Sequence, residues 1–144
     1  ICLEGFQAGL SWITILKRRE GFRQAFENFE IKKVAGFDAN KIEDLMLDPG
    51  IIRNRAKIIS AINNANIVLE KELDLTQLIW SHAPAVRQTP AENFTWRATS
   101  DESEALSKTL RKLGFSFVGP TTMYALMQSS GLVQDHAPGC FRRT

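Results

Sequence analysis

The sequence predicts an all-α fold, and three observations carry that reading. Apolar residues recur at helical spacing almost everywhere, no stretch alternates with period two, and capping or turn residues stand where the helical patterns begin and end.

Leu3, Phe6, Leu10 and Ile13 fall on one helical face, interrupted at Ala8-Gly9-Leu10, after which Ser11 can cap a fresh helix through Leu16. Phe22, Phe26 and Phe29 form the next apolar stripe. Asp38 can cap a short helix carrying Ile42, Leu45 and Met46, which stops at the turn Asp48-Pro49-Gly50. A long helix is expected from about Asn54 to Leu69, with Ile58, Ile62, Ala65 and Leu69 inward. Leu75 to Trp80 predicts one more helix. Pro84, Pro90 and several polar residues make the stretch between His82 and Thr99 a long surface loop. Thr99-Ser100-Asp101-Glu102 has the form of a capping box and opens a helix ending near Leu113. A last helix begins with Pro120 in its first turn, where a missing N–H costs nothing, carries Met123, Tyr124 and Met127, and stops before Gly131.

A chain of 144 residues, 44% of them apolar, is the size of one domain with a proper core, and residues 1–144 are read as a single helical domain. The net charge of +2 and a pI near 8.7 permit nucleic-acid binding without demanding it. No apolar run is long enough to span a bilayer, and Glu4 arrives before any basic region, unlike a signal peptide. Cys2 and Cys140 are too few for a disulfide framework, which points to a reducing, cytoplasmic setting. Ile1-Cys2-Leu3-Glu4 reads as the interior of a helix with no capping residue ahead of it. The expectation is that residues once preceded Ile1.

The segment Leu113-Gly114-Phe115-Ser116-Phe117-Val118-Gly119 joins two helices. Its two glycines allow a tight turn and Val118 can pack back between the helices. Free N–H groups of the hairpin and of the Pro120-Thr121-Thr122 helix start can then bind a phosphate, helped by the helix dipole. Lys108, Arg111 and Lys112 add positive charge alongside. An ordinary helix-turn-helix packing unit would carry the same pattern, and these residues alone leave both readings open. The pair His136 and Cys140, four apart, suits two zinc ligands, but two ligands do not close a tetrahedral site.

The hairpin resembles the helix-hairpin-helix element of the DNA glycosylase superfamily. Gly50-Ile51-Ile52-Arg53-Asn54-Arg55-Ala56-Lys57-Ile58-Ile59 is similar to the helix start that the same superfamily places upstream. Cys2-Leu3-Glu4-Gly5-Phe6-Gln7-Ala8-Gly9-Leu10-Ser11-Trp12 resembles the signature of the constitutive type I 3-methyladenine DNA glycosylases. So does the ending that runs from Gly131-Leu132-Val133-Gln134-Asp135-His136 to Cys140. The resemblance covers essentially the whole chain, in order and spacing.

That resemblance implies a base-excision repair enzyme that hydrolyses the N-glycosidic bond of 3-methyladenine in double-stranded alkylated DNA, acting as a monomer. A base methylated at N3 is cationic and its bond to the sugar already weakened, so the enzyme must chiefly extrude the nucleotide and hold the base. By resemblance, Glu4 is the catalytic residue of the base pocket, accepting hydrogen bonds from the base and favouring its charge. Trp12 stacks on it with cation–π attraction. Gly9 and Leu10 fill the gap left by the extruded nucleotide. Gly114, Val118, Gly119, Thr121 and Thr122 grip the DNA backbone.

Asp135 lies where many superfamily members keep a catalytic aspartate. The type I family does not depend on that residue, and here it can simply cap or orient His136. His136 and Cys140 are implied to complete a structural zinc site with a cysteine and a histidine from an N-terminal segment that this sequence lacks. The site is therefore expected to be incomplete, with Cys2 a conceivable substitute ligand whose helix position turns it toward the core. The rival reading is a non-catalytic helix-hairpin-helix DNA-binding module, or an inactive truncated relic. Glu4 and Trp12 together favour the enzyme, because backbone binding needs neither. A zinc-dependent nuclease is excluded by the absence of a second ligand cluster.

Overall fold

The computed structural model describes residues 1–85 and 95–142. Among these residues it is entirely helical. In chain order the helices are α1 (Cys2–Gln7), α2 (Trp12–Leu16), α3 (Arg19–Ala25), α4 (Ile31–Ala35), α5 (Ala39–Leu47), α6 (Arg55–Glu70), α7 (Leu75–Trp80), α8 (Asp101–Leu113) and α9 (Pro120–Ser130), with a short 3₁₀ turn at Glu27–Phe29. No described helix is long and apolar enough to cross a membrane.

Helix α6 is the spine. Asn54 caps it, accepting a hydrogen bond from Lys57 N at 3.1 Å. Its first half packs into a core of Phe6, Ile15, Phe22, Phe26, Leu45 and Ile58. Its second half joins a core of Leu106, Leu110, Phe115, Val118, Met123 and Met127. A helix serving two cores cannot have one apolar stripe. Ile58, Ile62 and Ala65 are buried as the periodicity predicts, but Leu69 is exposed and the neighbouring Ile67 and Val68 take its place. Ile13 is likewise exposed, because the break at Gly9 (φ +80°) rotates α2 out of the face that Phe6 presents.

The phenylalanine stripe is only half a helix. Helix α3 ends at Ala25, and Glu27, Asn28 and Phe29 adopt left-handed backbone angles, φ 51°, 55° and 59°. Each non-glycine residue there costs roughly 1–2 kcal/mol. The turn lets Phe29 lie flat against Phe26, ring centroids 5.5 Å apart and planes within 9°. Helix α4, which the sequence reading missed, follows at once and packs against α6.

Most of the capping signals hold. Asp38 accepts from Lys41 N at 2.8 Å, and Asp48 Oδ1 accepts from Gly50 N at 2.7 Å in the turn after α5. The box before α8 sits one residue later than predicted: Ser100 and the buried Ser103, not Thr99 and Glu102, bond reciprocally. Residues 86–94 of the predicted surface loop lie outside the described residues.

Candidate active site and DNA-binding face

Helix α1 brings Glu4 into the interior, where it is 6% exposed. Ser129, near the end of α9, donates its hydroxyl to Glu4 Oε1 at 2.8 Å. Glu4 Oε2 is shielded from solvent and has no hydrogen-bond partner among the described residues. Burial pushes the Glu4 carboxyl above its ordinary value, opposed by the Ser129 bond. An orphaned buried carboxylate oxygen is costly, and a ligand N–H is the group that would satisfy it.

Gly9 stands at the exposed turn after α1, and a Cβ added there would meet nothing within 4 Å. The turn is braced from inside. Gln7 Nε2 donates to Leu10 O and Leu10 N donates to Gln7 O, both at 2.7 Å. Leu10 rests partly buried against the first core. Trp12 opens α2 with 38% of its surface exposed, which leaves indole face available. The small enclosed space beside α1 is bounded by Ile1, Cys2, Gly5, Lys57, Asn64 and Phe117, among others. Glu4 and Trp12 are not among its lining residues.

Only one of the two bracketing glycines makes the hairpin turn between α8 and α9: Gly119 has φ −62°, which any residue adopts, and the second left-handed position is Phe117 at φ 55°. Gly114 ends α8 in the left-handed conformation at φ 102°, and Val118 is 2% exposed in the second core. Gly119 and Pro120 open α9, whose first turn, with Thr121 and Thr122, has no side-chain cap. The groove alongside is lined by Ser107, Lys108, Arg111, Lys112 and Pro120, together with Glu104. Uncapped amides beside three cations suit an anion.

The expectation of free hairpin N–H groups fails at Gly114, Phe115 and Ser116, the first two donating to Arg111 O and Leu110 O, both at 3.0 Å. Ser116 N donates to Asn64 Oδ1 at 3.0 Å, while Asn64 Nδ2 donates back to Ser116 O at 3.1 Å. Ser60 Oγ also donates to Ser116 O, at 3.1 Å, and accepts from Ser116 Oγ at 2.7 Å. The hairpin is thus pinned to α6 by an amide acting as a strand edge would. The polar residues Ser60 and Asn64 on the buried face of α6 were the signal, and it shows where they sit without naming their partner.

At the C-terminal end, Asp135 does not orient His136. Its Oδ2 accepts from Tyr124 Oη at 2.8 Å and from Gln128 Nε2 at 2.7 Å, which fastens the tail to α9. Burial, with Asp135 next, pushes the Tyr124 phenol up to about 12. His136 Nδ1 and Cys140 Sγ are 3.7 Å apart. Two donors on one tetrahedral zinc, at bond lengths of about 2.0 and 2.3 Å, would lie roughly 3.5 Å apart, so the pair fits half of such a site. No group of three or more possible ligands occurs among the described residues, so Cys2 does not complete it. Cys2 packs instead against the first core, and burial raises its thiol.

Residues 1–143 match the family model described as methyladenine glycosylase. The chain belongs to the methyladenine glycosylase family. It is 47% identical over 146 aligned positions to the DNA-3-methyladenine glycosylase 1 of Escherichia coli (strain K12), covering 97% of this chain and 78% of that one. Among solved structures, a 3-methyladenine DNA glycosylase I superposes with a TM-score of 0.92 at 41% identity, covering 99% of this chain and 81% of the other. The Staphylococcus aureus enzyme, solved to explain its recognition of 3-methyladenine, gives 0.87 at 33% identity, covering 99% and 79%. The helical domain of this glycosylase family thus accounts for both cores and the hairpin.

Proposed function

We propose that this glycosylase hydrolyses the N-glycosidic bond of 3-methyladenine in double-stranded alkylated DNA, working as a monomer, with Glu4 receiving the base. The observation that supports it is the buried Glu4 carboxylate with one oxygen held by Ser129 and the other without a donor among the described residues. The cationic base supplies both the missing N–H and a positive charge, which a low-dielectric site rewards. Because the methylated base is already a good leaving group, no strong general acid is needed. Asp135, committed to Tyr124 and Gln128, takes no part in the chemistry. Trp12 stacks on the extruded base, Gly9 and Leu10 occupy the gap it leaves, and the uncapped start of α9 holds a phosphate.

His136 and Cys140 supply two donors to a structural zinc ion, whose other ligands are not among the described residues. Such an ion would contribute folding energy and no chemistry to base release.

The deciding experiment is release of 3-methyladenine from methylated duplex DNA by the chain, followed by chromatography. Release by the parent and its marked slowing in Glu4→Gln is the expected result. DNA binding without release by the parent would leave only the DNA-binding module.

A further inference from the structure

Lys57 is a buried lysine in the first turn of α6, 8% exposed. That is an unfavourable place for a cation, since the N-terminus of a helix already carries partial positive charge. Desolvation lowers its ammonium from the ordinary lysine value. Its Nζ turns away from α6 to the end of α1, donating to Phe6 O at 2.9 Å and to Ala8 O. Helix α1 has no left-handed cap of its own, Ala8 being at φ −47°, so these carbonyls have the ammonium as their cap. The same Nζ lies 5.9 Å from the ring centroid of Phe117 at the hairpin tip. Phe117 has a left-handed backbone, φ 55°, and closes on α1: a Cβ at Gly5 would meet Phe117 Cβ at 3.3 Å.

Three functional pieces therefore meet on one ammonium group. Glu4 is carried by α1, the Gly9–Leu10 turn follows directly from Ala8, and Phe117 belongs to the hairpin beside the phosphate-binding start of α9. We infer that Lys57 is a positioning residue for base extrusion: by capping α1 and holding Phe117 it sets the Gly9–Leu10 wedge in register with the DNA-gripping hairpin. This rests on the proposed function for the identity of the base, the wedge role of Gly9 and Leu10, and the phosphate grip of the hairpin. In this role Lys57 acts through α1 and Phe117, by the contacts its ammonium makes to both.

The test uses Lys57→Met, which keeps the stem and removes the charge. Wedge insertion is read as the fluorescence rise of 2-aminopurine placed opposite a tetrahydrofuran abasic site in duplex DNA. Base release is read in a single turnover on methylated DNA. The variant should bind undamaged duplex and free 3-methyladenine as the parent does, yet show a diminished 2-aminopurine signal and release base about tenfold or more slowly. Lys57→Arg, which restores charge and donors, should recover part of both. A folded Lys57→Met with parental signal and rate overturns the proposal. So does a loss of affinity for free 3-methyladenine by the same factor as the rate, because Lys57 would then merely support the pocket. If the methionine variant does not fold, Lys57→Gln, which removes the charge and keeps two amide N–H donors on a shorter stem, is held to the same outcomes. A parent that released no base would sink the glycosylase function, while the 2-aminopurine signal would still decide Lys57.

Discussion

The hydroxyl of Ser129 donates to Glu4 at 2.8 Å across 125 residues of sequence, tying the first helix to the last. This bond fixes the carboxylate and restrains its pKa, which burial alone would drive higher. Ser129→Ala should destabilise the fold by about 1 kcal/mol in urea unfolding. It should also shift the acid limb of base release to higher pH. An unmoved acid limb would show that the bond does not reach the chemistry.

The raised Glu4 carboxyl also sets two opposite pH dependences. Base release should fall as pH drops through the elevated Glu4 value, since the protonated acid no longer favours a cation, and Glu4→Gln should lack this inflection. Stability runs the other way. The folded state holds the Glu4 proton more tightly than the unfolded chain, so this contribution is fully present below the unfolded value of about 4.5 and is lost as pH rises through the folded value. Glu4→Gln should therefore gain stability relative to the parent at neutral pH, with the gain shrinking in acid. Parallel denaturant titrations at two pH values check the sign.

Gly119 offers a nearly clean test of the phosphate grip. Its φ of −62° suits any residue, and an added Cβ would lie an ordinary 3.5 Å from Arg111 Nη2. Gly119→Asp should fold normally yet bind duplex DNA more weakly, because its carboxylate faces phosphate and competes for Arg111. The slope of log affinity against log salt should fall by about one for each phosphate that the variant no longer neutralises. Parental affinity at low salt would make the hairpin a packing element only.

Gly21 should be intolerant for a reason unrelated to chemistry. A Cβ there would sit 2.3 Å from the backbone oxygen of Gly50, so α3 or the turn after α5 must move. Gly21→Ala is expected to cost about 3 kcal/mol, as overpacking against backbone does. A melting temperature within a degree or two of the parent would contradict this close approach.

Zinc content separates the two ends of the molecule. If His136 and Cys140 hold an ion, His136→Ala should abolish whatever zinc co-purifies and lower thermal stability, with Glu4-dependent base affinity retained. Zinc retained at full stoichiometry in that variant would place the ion elsewhere.

The all-helical class, the breaks at Gly9 and Asp48-Pro49-Gly50, and the limits of α8 and α9 were legible in the sequence. Each is decided by local physics: apolar spacing, a cap within three residues, or a backbone angle that glycine favours. The motif order from Glu4 to Cys140 likewise identified the family, because such signatures are contiguous. What needed the tertiary structure lies across long separations or where local preference loses. Leu69 turned outward because α6 serves two cores, and Phe29 left the helix because its ring stacks on Phe26. Asn64 gripping Ser116, Ser129 holding Glu4, and Lys57 reaching the end of α1 have no local signature. A polar residue in a buried helix signals that some partner exists, but only the packing of distant helices decides which one.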